Sequence, residues 1–141
     1  MAVERTLCII KPDAVEKRVQ GVILQRLLDE RFEILALQQL QLSRSVAESF
    51  YAVHRERPFF EELVVFMTRG PVVVAALRRD NAVSHYREVI GATNPAQAAP
   101  ESIRKLYGAN LAENAVHGSD SEENGLRETR FFFPEHLLGN D

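Results

Sequence analysis

The stretch Val3-Glu4-Arg5-Thr6-Leu7-Cys8-Ile9-Ile10-Lys11-Pro12-Asp13 decides the fold. Its end is continuously apolar and β-branched, without polar alternation. A strand of that kind is central and buried on both faces. Pro12 then removes an N–H and presets a helical φ, so the strand gives way to a first helical turn. Lys11 stands at the junction, where its ammonium projects from the sheet edge into a cleft. Cys8, the only cysteine, lies inside the apolar run and reads as a small buried hydrophobe.

Working outward, residues 22–28 place apolar side chains at 23, 24, 27 and 28, a helical stripe. Residues 33–42 read as a second strand, with Ile34, Ala36, Leu40 and Leu42 on one parity. Ser43 is an N-cap candidate, and Ser45 with Glu48 a capping box. The helix they open is expected to run through Tyr51 and His54. Pro58 interrupts the pattern. Phe60, Leu63, Val64 and Met67 then repeat at helical spacing up to Gly70. Residues 71–77 form a Val-rich third strand. Asp80 or Asn81 opens a helix with Val83, Tyr86 and Ile90 inward. Gly91-Ala92-Thr93-Asn94-Pro95 is turn chemistry, and a short helix follows Pro100. Residues 114–117 make a fourth strand, and Ser121 caps a last helix with Glu122 and Glu123 at its positive end. Gly139-Asn140-Asp141 reads as a frayed tail. The order gives an α+β fold: a ferredoxin-like split β-α-β sandwich, a four-stranded antiparallel sheet with helices on one face.

The chain has 141 residues, 45% of them hydrophobic, which suits a single domain over 1–141 with one filled core. A net charge of −3 argues against a broad nucleic-acid surface, though a small basic cleft needs only a few cations. No apolar run approaches a membrane span, and the first residues lack a signal-peptide pattern. With no paired cysteines, the expected location is cytoplasmic.

The chemistry concentrates in Asn114-Ala115-Val116-His117-Gly118-Ser119-Asp120. A histidine between an apolar run and a Gly-Ser-Asp turn is held yet open. Gly118 leaves space beside the ring. Neutral imidazole is a good nucleophile near pH 7. No glycine-rich phosphate loop is present, so side chains must bind any nucleotide. Lys11, Arg87, Thr93 and Arg104 are the candidates, since guanidinium groups hold two phosphate oxygens at once. Phe59 is out of phase with the apolar stripe, and its exposed ring could stack on a base. Arg78, Arg79, His85 and His136 read as surface residues. The four histidines and one cysteine show no metal spacing, so a divalent ion would arrive on phosphates.

Taken in order, Lys11-Pro12-Asp13-Ala14, Phe50-Tyr51, Arg57-Pro58-Phe59-Phe60, Gly91-Ala92-Thr93-Asn94-Pro95, Ile103-Arg104 and Asn114 to Ser121 resemble the nucleoside diphosphate kinase family. The resemblance runs from Glu4 to about Phe133. It implies that His117 takes the γ-phosphoryl of ATP and passes it to a nucleoside diphosphate by a ping-pong route. It implies Lys11, Arg87, Thr93 and Arg104 at the phosphates, Asn114 at the ribose, Phe59 on the base and Tyr51 beside the histidine. It further implies Glu128 on the other ring nitrogen, braced by Ser119, and Mg2+ bound through the nucleotide. A dimer-based homo-oligomer, tetramer over hexamer, is the expected assembly, with no obligatory nucleic acid and no membrane. Three features depart from the common pattern: Arg31 stands where glycine is frequent, Gly125 would weaken the last helix, and Glu101-Ser102 replaces a frequent Gly-Thr before Ile103-Arg104. A noncatalytic nucleic-acid module and a phosphocarrier acting on proteins are the competing readings. The charge balance disfavours the first, and Phe59 and Asn114 disfavour the second.

Overall fold

The computed structural model describes residues 3–139; Asn140 and Asp141 of the expected tail lie outside the described residues. The elements in order are β1 (Val3–Ile10), α1 (Pro12–Glu16), α2 (Gln20–Asp29), β2 (Glu33–Leu40), α3 (Arg44–Phe50), α4 (Phe60–Thr68), β3 (Val72–Asp80), α5 (Ala82–Ile90), α6 (Ile103–Tyr107), β4 (Val116–His117), α7 (Glu122–Phe132) and α8 (Glu135–Leu138). Single 3₁₀ turns lie at Ala52–His54 and Pro95–Gln97. The sheet order is β2-β3-β1-β4, with all pairs antiparallel. This is the split β-α-β arrangement with β1 and β3 at the centre.

Helices cover both faces, not one as expected. Alternate residues of β1 serve two cores. Cys8 and Ile10 pack with Ile23 and Leu27 of α2 and Tyr86 and Ile90 of α5. Leu7 and Ile9 pack with Phe50 of α3, Met67 of α4 and Leu138 of α8. A strand apolar at both parities has to be covered twice. Burial pushes the Cys8 thiol up to about 12, so it stays protonated and inert.

Other expectations shift locally. A β-bulge between Ile34 and Ala36 breaks the parity of β2. Ile34 faces the α2–α5 core, whereas Leu35, Ala36 and Leu40 face the other. The extra residue reverses side-chain sense along the strand. The cap of α3 is Ser43, which accepts the Val46 N–H at 3.2 Å. Glu48 pairs with Arg44 at 3.0 Å instead of closing a box with Ser45. The helix ends at Phe50, so Tyr51 and His54 do not share its face. The fourth strand shortens to Val116–His117 because Ala115, at φ 75°, cannot continue a ladder. Arg31 does sit in left-handed backbone, at φ 68°. His85 is half-buried, bonded to Glu30 at 2.9 Å and tilted against Phe32. Arg79 likewise lies over the Phe32 ring and donates to the Glu30 carbonyl. Arg78 pairs with Glu33 across the β2–β3 ladder. His136 is exposed.

Gly125 has a role that helix propensity hides. A Cβ there would stand 2.1 Å from the Arg5 carbonyl oxygen. The missing side chain lets α7 lie directly on β1, bringing Glu128 over the end of the sheet.

Candidate active site

β1 and β4 end side by side, with Ile9 opposite His117 and Ile10 opposite Val116. This pairing sets His117 at the sheet end beside Lys11. Gly118 makes room here for a different group than expected. A Cβ at Gly118 would collide with the Tyr86 ring, at 2.5 Å from Cε2. That ring therefore slides under the turn, and its hydroxyl donates to the His117 carbonyl at 2.8 Å.

The imidazole is fixed from several sides. His117 Nε2 lies 2.8 Å from Glu128 Oε1, and the Ser119 hydroxyl donates to the same oxygen at 2.7 Å. Ser119 also accepts the Leu7 N–H at 3.1 Å, tying the turn back to β1. Burial alone would raise the Glu128 carboxyl. The bond and charge of His117, the Ser119 hydroxyl and Arg127 outweigh it and hold the carboxyl below its ordinary range. Glu128 is thus ionised at neutral pH, and Nε2 carries the proton that it accepts. The second ring nitrogen, Nδ1, has no protein partner among the described residues. Phe50 and Tyr51 set ring edges against the imidazole at centroid distances of 5.5 and 6.5 Å. The Tyr51 hydroxyl is buried without a partner, and burial raises its pKa strongly.

The cationic groups gather on the same side. Lys11 Nζ donates to Asn114 Oδ1 at 2.8 Å, and Asn114 Nδ2 donates to the Thr93 carbonyl at 3.0 Å. Burial, then the Arg104 charge, lowers Lys11 to about 8, against a partial rise from Asp13. Arg104 is buried and donates to the Gly91 carbonyl at 3.0 Å and the Val116 carbonyl at 2.9 Å. Its Nε finds no protein acceptor. Burial draws its pKa down, as does the nearby Arg87 charge. Arg87 itself is exposed on α5, as is Thr93 in the following turn. The Arg87 charge acts on Arg104, and Asp120 feels the same Arg87 charge; two guanidinium groups within electrostatic reach of each other suit an anion such as phosphate. Phe59 stands apart from the histidine, 46% exposed, with its ring 5.5 Å from that of His54.

The structure therefore brings His117, Glu128, Ser119 and Tyr51 into one contact network. Lys11, Asn114 and Thr93 are bonded together in a second, which Arg104 joins through the β4 backbone. Phe50, named above only as a family marker, sets its ring against the histidine, and Tyr86 and Leu7 support the turn around it. Tyr86 gave no signal beyond its apolar phase. Among the described residues no three His, Cys, Asp or Glu side chains gather as a metal cage.

Known proteins resemble this chain in sequence and in fold. A family model described as nucleoside diphosphate kinase matches residues 4–138. The nucleoside diphosphate kinase of Sorangium cellulosum is 59% identical over 133 residues, covering 94% of this chain and 92% of that one. The one from Legionella pneumophila (strain Paris) is 54% identical over 140 residues, 99% of each chain. The crystal structure of the Aquifex aeolicus enzyme superposes with a TM-score of 0.95 at 48% identity, over 98% of this chain and 100% of that one. The Halobacterium salinarum enzyme, solved in complex with CDP, gives 0.92 at 34% identity, over 99% and 93%. Overall fold, identity and coverage agree along almost the whole length, and the chain belongs to the nucleoside diphosphate kinase family.

Proposed function

We propose that this chain transfers the γ-phosphoryl of ATP, or of another nucleoside triphosphate, to nucleoside and deoxynucleoside diphosphates through a phosphohistidine at His117. The observation that carries this reading is the bond from His117 Nε2 to Glu128, which leaves the Nδ1 lone pair bare. Nδ1 attacks the γ-phosphorus, the N–P bond forms, and the bond to the bridging oxygen breaks as the nucleoside diphosphate leaves. Positive charge grows on the ring as the bond forms. Glu128, already ionised and anchored by Ser119, neutralises it without moving. A second nucleoside diphosphate then attacks the phosphohistidine with its terminal oxygen, reversing the path. One site serves donor and acceptor in turn.

Phosphoryl transfer passes through a loose, highly charged arrangement, so positioning and charge neutralisation carry most of the rate. Arg87, Arg104 and Thr93 bind phosphate oxygens, and Lys11 bridges phosphate and ribose. Asn114 holds the ribose, and Phe59 stacks on the base with no edge contact, so every base is accepted. The Tyr51 hydroxyl, otherwise orphaned, closes the cleft beside His117. The cationic side chains near His117 suit phosphates that bring their own divalent ion. Magnesium, when bound, spreads the phosphate charge. In this reading residues 1–141 act as one domain in a dimer-based homo-oligomer, tetramer over hexamer. The enzyme works in the cytoplasm; no helix among the described residues is long and apolar enough to cross a membrane.

Initial rates measured with varied ATP at several fixed GDP concentrations test the reaction scheme. Parallel double-reciprocal lines are expected, and lines that intersect would contradict a covalent intermediate.

Lys11 makes the binding of phosphates pH-dependent. Its pKa of about 8 in the free enzyme leaves it charged at neutral pH and neutral above. A polyphosphate favours the ammonium and raises that pKa. Affinity for ADP is therefore flat below about pH 7 and falls as pH rises through about 8, with proton uptake on binding in that window. Titration calorimetry in two buffers of different ionisation heat checks this; binding without proton uptake at pH 8.5 would contradict it. Stability has the opposite slope. Folding lowers the Lys11 pKa, so the folded state binds fewer protons between about 8 and 10.5, and stability rises with pH there.

A further inference from the structure

Between the ribose-side Asn114 and the histidine strand lies a residue in an awkward backbone. Ala115 is fully buried with φ 75°, and Val116 N–H reaches back to the Asn114 carbonyl at 2.9 Å. A three-residue turn closed in this sense is rare and strained for an L-residue. Both of Ala115's own polar groups are held by the segment after β1. Its N–H donates to Asp13 Oδ2 at 3.0 Å, and its carbonyl accepts from Lys11 N–H at 2.8 Å. Asp13 is only 2% exposed, and its Oδ1 has no partner. Burying a carboxylate and leaving one oxygen orphaned is costly. The first turn of α1 favours an acid there, but α1 has five residues and a weak dipole.

We propose that Asp13 is a positioning residue: its carboxylate clamps the Ala115 N–H, holds the turn 114–116 in its strained form, and so aims His117 at the nucleotide. The turn fixes two directions at once. Before it, Asn114 faces Lys11 and Thr93; after it, Val116 enters the ladder opposite Ile10 and His117 meets Glu128. If the turn relaxes to ordinary backbone, β4 slips against β1 and the ring leaves its bond to Glu128. A charged acceptor suits this task, because a bond to carboxylate is about twice as strong as one between neutral groups. The inference rests on His117 being the nucleophile.

The test is rapid-quench phosphorylation of His117 by labelled ATP, with ADP affinity measured in parallel. At saturating ATP and about pH 6.5, where Lys11 is charged, Asp13→Ala slows labelling by about tenfold to a hundredfold, the scale of a misplacement near 1 Å, and its ADP affinity falls by a smaller factor than the labelling rate, because Asp13 also helps to hold Lys11 protonated. Asp13→Asn keeps a neutral acceptor and retains most of the rate. Adding Ala115→Gly to Asp13→Ala restores most of the loss, because glycine takes positive φ freely. Relief of that kind is not expected if Asp13 serves only the helix start. An Asp13→Ala protein that labels at the unaltered rate, or one that Ala115→Gly does not rescue, overturns the clamp. Should Asp13→Ala fail to fold, amide exchange at Ala115 in the unaltered protein decides: slow exchange supports the clamp, and free exchange overturns it. Failure of the unaltered protein to label at His117 overturns the nucleophile reading instead.

Discussion

Replacing His117 with alanine stops phosphoryl transfer while the fold and nucleotide binding persist. The expected fall in kcat is at least about 10⁴-fold, the order found when a covalent nucleophile is deleted. Two features of the surroundings separate chemistry from stability here. The His117 side chain is partly exposed, 18% by area, so its loss opens no closed cavity. Its one hydrogen-bond partner, Glu128, keeps the Ser119 hydroxyl at 2.7 Å and the Arg127 guanidinium at 3.5 Å. The carboxylate is therefore not stranded. Coupled assay of GDP phosphorylation, run beside calorimetric ADP binding, measures both halves. Turnover within tenfold of the unaltered protein would remove His117 from the reaction.

The second large effect is on the fold. Gly125→Ala should cost at least about 3 kcal/mol, beyond the usual range for an extra methyl in a packed site. Its Cβ would meet the Arg5 carbonyl oxygen at 2.1 Å and the carbonyl carbon at 3.1 Å, both backbone atoms that no rotamer change can clear. Relief requires α7 to lift from β1, which also withdraws Glu128 from His117. Urea unfolding followed by circular dichroism measures the loss, and the transfer rate should fall with it. Helix propensity alone predicts the opposite sign, a gain of about 1 kcal/mol. A more stable variant would show that α7 does not rest on β1 as described.

What could be read from the sequence divides along physical lines. β1, β3 and the inward faces of α4 and α5 follow from apolar spacing, because a period of 2.0 or 3.6 is a local property. The bulge in β2 left no trace, since an extra residue changes parity without changing composition. The covering of both sheet faces was implicit in the unbroken apolar run Leu7-Cys8-Ile9-Ile10. The end of α3 at Phe50 is tertiary: Phe50 and Tyr51 turn their rings edge to face at 4.9 Å toward the histidine. Gly125 looks like a propensity fault until the strand beneath it is seen.

The candidate site shows the same split. His117 was visible from its heptapeptide, and the cations from the absence of any phosphate loop. Glu128 and Asn114 entered only through family resemblance. A signal for Glu128 does exist, since it falls in phase with buried Gly125 and Thr129 on α7. An acid on a buried stripe needs a partner. Asp13 had no such signal, because its contact with Ala115 spans 102 positions of chain.

The most direct test of the central claim is to incubate the protein with magnesium and γ-labelled ATP, isolate the protein and locate the label. An acid-labile, alkali-stable phosphate on His117 that moves to added GDP, leaving unlabelled protein, is the expected result. Protein that catalyses GTP formation yet never carries the label, or carries it on a residue other than His117, would contradict the phosphohistidine route.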